Sequence, residues 1–158
     1  MEALFRLHDL SSRSLFLVAG AALVACTGLY VAEVALRYAF NAPTTWSGEF
    51  VEYGLLVIIF LSLPEVTRAK AHITMDLVSQ ALSQRGRKAL HGANMLASAC
   101  VCFAASYFAG VEALRQFNRN VLTNAANPIP RWWLTTLICV GLASAGLHLL
   151  RNAFGSGR

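Results

Sequence analysis

Long apolar segments without charged side chains set the strongest limit on how this chain folds. The run from Leu15 to Ala32 contains no charged residue. Continued to Leu36, it is long enough, at ~1.5 Å per helical residue, to cross a ~30 Å hydrocarbon core. Three more apolar segments follow, and of the 158 residues 56% are hydrophobic and 13% charged. A soluble domain carries roughly 25% charge, so the sequence predicts a membrane protein.

We predict an all-α fold, with a single membrane domain over residues 1–158 and four transmembrane helices. The spans are expected at approximately 14–38, 49–66, 89–114 and 132–150. Short amphipathic helices are expected to lie along the membrane surface in two places. One is residues 1–13, where leucines alternate with polar and charged residues; the other is the loop after span two, where apolar residues between 73 and 82 recur at helical spacing.

The distribution of lysine and arginine predicts the orientation of the spans. Nine of these residues lie in the N-terminal segment, the second loop and the C-terminal segment, and four lie in the first and third loops. Because cytoplasmic segments carry the excess of positive charge, both termini are expected in the cytoplasm. Tyr38 and the three tryptophans, Trp46, Trp132 and Trp133, then fall at the opposite interface, where such rings are enriched. The net charge of +5 therefore reflects topology, and no nucleic-acid partner is expected.

Small residues recur at helical spacing along two of the spans. The sets are Ala21, Ala25, Gly28, Ala32, Ala35 and Ala39 in span one, and Asn94, Ser98, Cys102, Ser106 and Gly110 in span three. Such stripes let helix backbones approach closely, so both spans are expected to supply packing seams. Span two has almost no small residues and offers a broad aliphatic face for lipid or for a partner helix.

The segment from Arg37 to Tyr53 joins the first two spans by a tight turn. Asn41-Ala42-Pro43 is expected to end the first helix, since the residue before a proline is pushed out of the α region. Ser47 is expected to cap the next helix, with Glu49 in its first turn near the positive end of the helix dipole. The concentration of charged and aromatic residues here indicates either an interfacial belt or a contact site for another protein.

Glu33 is the acid that lies well inside a span. It is four residues before Arg37, on the same helix face, so we predict an ion pair, with proton coupling through Glu33 as the alternative. Glu52, in the first turns of span two, is the second candidate for pairing inside the membrane. Arg37, Glu49 and Glu52 either lock spans one and two together or face a partner outside the membrane.

The remaining histidines and cysteines give weak signals for metal or redox chemistry. His72 and Asp76, four apart in the cytoplasmic loop, favour a hydrogen bond on a helix surface over a metal site, which needs three or four ligands. His91 and His148 lie near the inner ends of spans three and four, where paired histidines bracket haem in some proteins. The cysteines, Cys26, Cys100, Cys102 and Cys139, lie in apolar segments and are expected to act as packing residues. No catalytic motif is present, so no enzyme activity, cofactor or metal is expected.

Four short motifs occur in a set order along the chain. They are R-Y-x-F-N at Arg37–Asn41, W-S-x-E at Trp46–Glu49, A-H-I-x-x-D at Ala71–Asp76 and P-x-W at Pro130–Trp132. With the spacing and topology, they resemble the small membrane subunit of tripartite ATP-independent periplasmic (TRAP) transporters, the DctQ-like family, over roughly Leu15 to Leu150. Gly48 stands where that family often has a second acid, and Ser62 and Pro64 depart from its usual small residues.

The resemblance implies partners and a role. In such systems a periplasmic binding protein captures a solute, often a carboxylate, and a large multispan subunit moves it by an elevator-type motion driven by a sodium gradient. The small subunit is implied to be a static, non-catalytic scaffold in the bacterial inner membrane, in contact with the lipid bilayer. Its implied dock for the large subunit is the aliphatic face of span two.

The resemblance also implies positions for partner contact. The residues implied to line the periplasmic side, where the binding protein lands, are Arg37, Tyr38, Asn41, Trp46, Glu49 and Trp132. His72 and Asp76 are implied to brace the cytoplasmic side. Two other functions remain as alternatives: a self-contained proton-coupled exporter using Glu33, and a membrane haem or redox protein.

Overall fold

Four helices account for most of the chain. The computed structural model describes residues 2–42, 44, 46–69, 84–125 and 127–155. The helices are α1 (Glu2–Ala39), α2 (Ser47–Arg68), α3 (Gln84–Asn118) and α4 (Arg131–Gly155). Each is long and apolar enough to cross a membrane. The prediction of an all-α membrane fold is confirmed. Helices suit a membrane because they satisfy their own backbone hydrogen bonds where no water can do so.

The N-terminal residues differ from the sequence prediction. They do not form a separate surface helix, because α1 runs without interruption from Glu2 to Ala39. No glycine or proline occurs before Gly20, so nothing in the sequence breaks the helix near Arg13. The polar residues of this part contact α4. The second predicted surface helix, with His72 and Asp76, lies outside the described residues.

The helices pack in the order α1, α2, α4, α3. The central pair is α2 and α4, which contact each other; α2 also packs against α1, and α4 packs against α3. A buried cluster between α3 and α4 is formed by Met95, Ala99 and Leu149. Part of the aliphatic surface of α2 is therefore used inside the chain, and Leu55, Ile59 and Val66 remain exposed on it.

The two stripes of small residues have different surroundings. The stripe on α3 packs against α4 as predicted: Ser106 Oγ donates a hydrogen bond of 2.9 Å to the Cys139 carbonyl. A methyl group placed on Gly110 would lie 3.4 Å from Cys139 Sγ. The stripe on α1 faces outward instead, and a methyl group on Gly28 would meet nothing within 4 Å. The seam predicted for span one is thus not used in packing within this chain.

Two helices end at asparagines with left-handed backbone, Asn41 at φ 50° and Asn120 at φ 47°. Beyond α3 the amide of Asn120 bonds the Phe117 carbonyl and the amide of Val121 bonds the Gln116 carbonyl, at 3.2 and 3.0 Å. This pair of bonds is the Schellman motif, in which asparagine is one of the residues that tolerates the left-handed position. The chain therefore leaves α3 in a defined direction, and the third loop folds back toward α4.

Gly141→Ala is expected to destabilise the fold. A methyl group on Gly141 would lie 2.5 Å from the Phe60 carbonyl oxygen of α2. Because that oxygen belongs to a helix backbone, α2 and α4 must separate, which typically costs about 1–3 kcal/mol. The free energy of unfolding in mild detergent measures the change.

Gly28→Ala is the matched control, since the added methyl group meets nothing within 4 Å. The same substitution in an open helix position is expected to be neutral or to stabilise by about 0.5–1 kcal/mol. Equal stability of the two variants would contradict the close approach of α2 to α4.

Candidate functional site

The polar groups of this protein collect at the two ends of the bundle. We call the end formed by residues 40–46 and 119–130 the loop end, and the end where Asp9 meets Arg151 the terminal end. The stretches 16–32, 53–64, 92–111 and 132–147, which form the middle of the helices, contain no Asp, Glu, Lys, Arg or His. Each end is therefore considered as a separate candidate site.

Glu33 is the centre of the loop end. Its side chain is 6% exposed and accepts a hydrogen bond of 2.8 Å from Arg37 Nη2. It also accepts one of 3.2 Å from the Thr44 backbone amide and another from the Thr44 hydroxyl. The carboxylate thus joins the last turns of α1 to the segment that leads into α2. Charge-assisted bonds of this kind are stronger than neutral ones, so Glu33 fixes the turn.

Ser47 does not cap α2 as the sequence predicted. The helix begins at Ser47, its N-cap position is Trp46, and no side chain bonds to the free amides there. Ser47 is buried at the first helical position, one residue past the N-cap, so its side chain does not occupy the capping position. Glu49 lies in the first turn of α2, as predicted.

Glu49 connects the start of α2 to the third loop. Its Oε2 atom accepts a hydrogen bond of 3.4 Å from the Asn127 backbone amide. The third loop is held by the amide of Thr123, bonded to the Ile129 carbonyl, and by the amide of Ile129, bonded to Thr123 Oγ1, each at 3.0 Å. Glu49 therefore anchors the third loop to the start of α2.

Aromatic side chains surround this polar centre. Tyr38 is 83% exposed and Trp46 is 41% exposed, the latter with its ring edge-on to Phe50 at 5.7 Å. Trp132 is half-buried and packs edge-on against Phe117 at 5.3 Å. Tyr38 and Trp46 thus offer an outward surface, together with Arg37 at 57% side-chain exposure and Asn41, which is also exposed. Trp132 has a mainly internal contact.

Glu52 has a different environment from Glu33. It is exposed on α2, and it forms no ion pair with any residue in the described part of the chain. The ion pair of Arg37 is made with Glu33. Among the described residues, the charge pairing near this end of α1 therefore involves Glu33 and not Glu52.

The terminal end holds a second cluster, which the sequence analysis missed. His8 Nε2 lies 2.9 Å from Ser144 Oγ, and Ser12 Oγ lies 2.9 Å from His148 Nε2. The two imidazole rings stack with their centroids 4.3 Å apart. Beside them Arg151 Nη1 donates to Asp9 Oδ1 at 2.7 Å.

A signal for this cluster was present in the sequence. The pairs His8/Ser12 and Ser144/His148 are each four residues apart, on one face of their helices, at the terminal end of the bundle. Assigning residues 1–13 to a separate helix hid the match. The haem alternative required His148 to pair with His91, whereas its ring stacks on His8; all four cysteines are free thiols.

An apolar cleft of about 580 Å³ lies between the helices near the terminal end. Its walls include Leu15, Phe60, Phe103 and Val140, and its polar lining comes from His8, Ser11 and Ser144. A cleft with this lining suits apolar groups and provides no continuous polar path through the bundle.

Together these features define a class: an integral membrane protein of four spanning helices whose polar contacts hold its two ends. A family model for tripartite ATP-independent periplasmic transporters, DctQ component, matches residues 26–157. The chain belongs to this family. No curated protein matches the sequence.

Membership in the family establishes what kind of component this is. The chain is the small membrane subunit of a TRAP transporter and not an enzyme. Such transporters contain a large DctM subunit and a periplasmic binding protein. The four apolar helices and the family together indicate a multi-pass protein of the inner membrane.

Glu33→Ala is expected to lower the free energy of unfolding by about 1.5–3 kcal/mol, the range for hydrogen bonds to charged groups. The Thr44 amide and hydroxyl lose their acceptor in this variant. Arg37→Met is expected to cost less than about 1 kcal/mol, because the Arg37 side chain is 57% exposed and Glu33 keeps both of its bonds from Thr44. Equilibrium unfolding of the purified protein measures both.

Glu112→Ala provides the control at the same end of the bundle. Glu112 pairs with Arg115 at 2.5 Å and accepts a hydrogen bond of 2.9 Å from Gln116 Nε2, and its side chain is 39% exposed. Since water reaches this carboxylate, a loss of about 1 kcal/mol or less is expected. If Glu33→Ala proves no more destabilising than Glu112→Ala, the carboxylate does not fix the turn.

Proposed function

We propose that this chain is the static, non-catalytic scaffold of a sodium-coupled, binding-protein-dependent importer of small organic solutes, often carboxylates. The observation that carries the proposal is the distribution of charge. Ionisable groups lie at the two ends, and the middle stretches of all four helices contain none. Ion-coupled transporters place substrate and ion sites near the bilayer midplane, with polar or broken helices around them. Solute and sodium are therefore expected to pass through the large subunit.

Contacts at both ends support a rigid body. At the loop end, Glu33 and Glu49 connect the first loop to α1 and to the third loop. At the terminal end, Arg151 bonds Asp9, and Asn152 Nδ2 donates to the Thr67 carbonyl at 3.3 Å. Relative sliding of the helices would break these contacts, and the buried Glu33 carboxylate would lose its hydrogen-bond partners.

Two outward surfaces are available for the large subunit. Leu55, Ile59 and Val66 are the exposed part of the aliphatic face of α2, the dock that the sequence analysis favoured. The outward stripe of small residues on α1, including Ala25 and Gly28, permits close approach of a helix from another chain. On this proposal, both contribute to the interface.

The loop end is proposed to face the periplasm, with both termini in the cytoplasm. This orientation follows from the excess of lysine and arginine at the terminal end. Arg37, Tyr38, Asn41 and Trp46 then form an exposed surface for the binding protein. Glu49 and Trp132 would support that surface from behind by holding the third loop.

The two alternative functions have less support. Proton coupling through Glu33 requires a carboxylate that is free to change partners, whereas this one is engaged by Arg37 and Thr44 close to the loop end. A haem bracketed by His91 and His148 requires the His148 ring to face His91 on α3, whereas that ring stacks on His8 of α1.

Reconstitution into liposomes tests the proposal. The large subunit and this chain are inserted together, the binding protein is added outside, and uptake of a radiolabelled ligand of that binding protein is followed under an inward sodium gradient. Uptake is expected in the complete system, and none is expected from this chain alone. Gradient-driven solute or proton flux by this chain alone would overturn the scaffold role, and equal uptake in sodium-free buffer would overturn sodium coupling.

Variants in the same assay test the periplasmic surface. Tyr38→Ala is expected to lower uptake several-fold at limiting binding protein, with recovery at high concentration, while the membrane subunits still copurify. Tyr107→Ala is the control, because Tyr107 is 69% exposed but lies within the spanning part of α3. Uptake like wild type in both variants would favour the interfacial-belt function of these aromatic residues.

A further inference from the structure

The polar cluster at the terminal end has a geometry that packing alone does not require. His8 and Ser12 on α1 meet Ser144 and His148 on α4 in a crossed pattern, in which each histidine reaches the serine of the other helix. The crossing stacks the two rings between the helices. His148 is 2% exposed, so this contact is removed from solvent.

Three groups in this cluster are suitable metal ligands. His8, Asp9 and His148 each offer one ligand atom, and these atoms lie within 4.8 Å of one another. Zinc bonds to nitrogen and oxygen are ~2.0–2.2 Å long, so closure around an ion requires side-chain shifts on the order of 1 Å. The two rings must also tilt out of their stack, because the nitrogen lone pairs lie in the ring planes and have to converge on the ion. Two imidazoles and one carboxylate are a donor set for zinc and neighbouring transition metals; magnesium and calcium prefer oxygen ligands.

The hydrogen bonds already present suit such a site. They engage Nε2 of each ring and Oδ1 of the carboxylate, through Ser144, Ser12 and Arg151. Within the described part of the chain, Nδ1 of each ring and Oδ2 of Asp9 have no hydrogen-bond partner. Metal-binding histidines characteristically bond a protein group through their other nitrogen, which fixes the tautomer and the ring orientation.

We propose that His8, Asp9 and His148 bind one divalent transition-metal ion of the zinc class between α1 and α4. Three protein ligands leave a fourth position for water. Arg151 orients the Asp9 carboxylate, but its positive charge also repels the bound metal ion. The site is therefore of moderate affinity, and its occupancy responds to the metal concentration. Over most of the bundle α2 lies between α1 and α4, whereas the ion would link the start of α1 directly to the end of α4. Because the metal binds the folded state, it would stabilise the bundle by mass action.

The test uses the complex of this chain with its large subunit, purified without a polyhistidine tag, since a tag binds the same metals. Cobalt(II) is titrated and its visible d–d absorption recorded, and zinc is then added in competition. The expected result is one saturable cobalt site with a tetrahedral spectrum that zinc displaces and magnesium does not. Zinc is also expected to raise the thermal midpoint of the complex.

Variants locate the site. His8→Gln and His148→Gln are each expected to weaken zinc binding by roughly tenfold or more and to abolish the rise in thermal midpoint. His91→Gln is the matched control, because His91 lies on α3 outside this cluster, and it is expected to bind zinc like the wild type.

Two results would overturn the proposal. One is the absence of a saturable cobalt or zinc site in the wild-type complex, a measurement that does not depend on whether any variant folds. The other is unchanged affinity in His8→Gln and His148→Gln, which would place the metal elsewhere, for example on the cysteines.

Discussion

The bilayer interior offers no water to satisfy a polar group, and the rest of this structure depends on that constraint. Every backbone segment that crosses the membrane is helical, and the ionisable side chains lie toward the helix ends. There they bond to one another across the bundle. The most concentrated of these contacts are at the Glu33 carboxylate, which accepts hydrogen bonds from a guanidinium, a backbone amide and a hydroxyl group.

This arrangement produces a body with polar ends and an inert middle. The ends resist relative movement of the helices because a broken hydrogen bond there leaves a buried group without a partner. The middle offers neither charge nor a polar path to a solute. These properties agree with the proposed scaffold role, and the DctQ family is a component of transporters that also contain a large DctM subunit.

Local sequence pattern predicted the features that depend on one helix. The presence of four apolar helices, the end of α1 near Asn41 and the pairing of Glu33 with Arg37 follow from hydropathy, from the proline after Ala42 and from a spacing of four residues. The features that failed depend on contacts between distant parts of the chain. The first turns of α1 pack against α4, and the contacting residues His8 and Ser144 are 136 positions apart in the sequence.

The sequence also did not predict which way each helix face points. The small residues of span one and of span three form similar stripes, yet one packs inside the chain and the other faces outward. Periodicity defines a stripe but not the rotation of the helix, which the neighbouring helices set. Ser47 shows the same limit on a smaller scale: its residue type suggested a cap, and the structure has Trp46 at the N-cap position.

Rigidity of the subunit during transport is measurable by spin labelling. Labels at Ala39 and Asn118, which are exposed at the loop ends of α1 and α3, are introduced into a variant lacking the four native cysteines and assembled with the large subunit. Pulsed electron–electron resonance then gives the distance distribution with and without sodium and ligand-loaded binding protein. A static scaffold gives the same distance distribution in every condition. As a positive control, the distance between a label on this chain and a label on the moving part of the large subunit is expected to change. A shift of the Ala39–Asn118 distance by about 5.4 Å, one helical turn, would show that this subunit itself moves during transport.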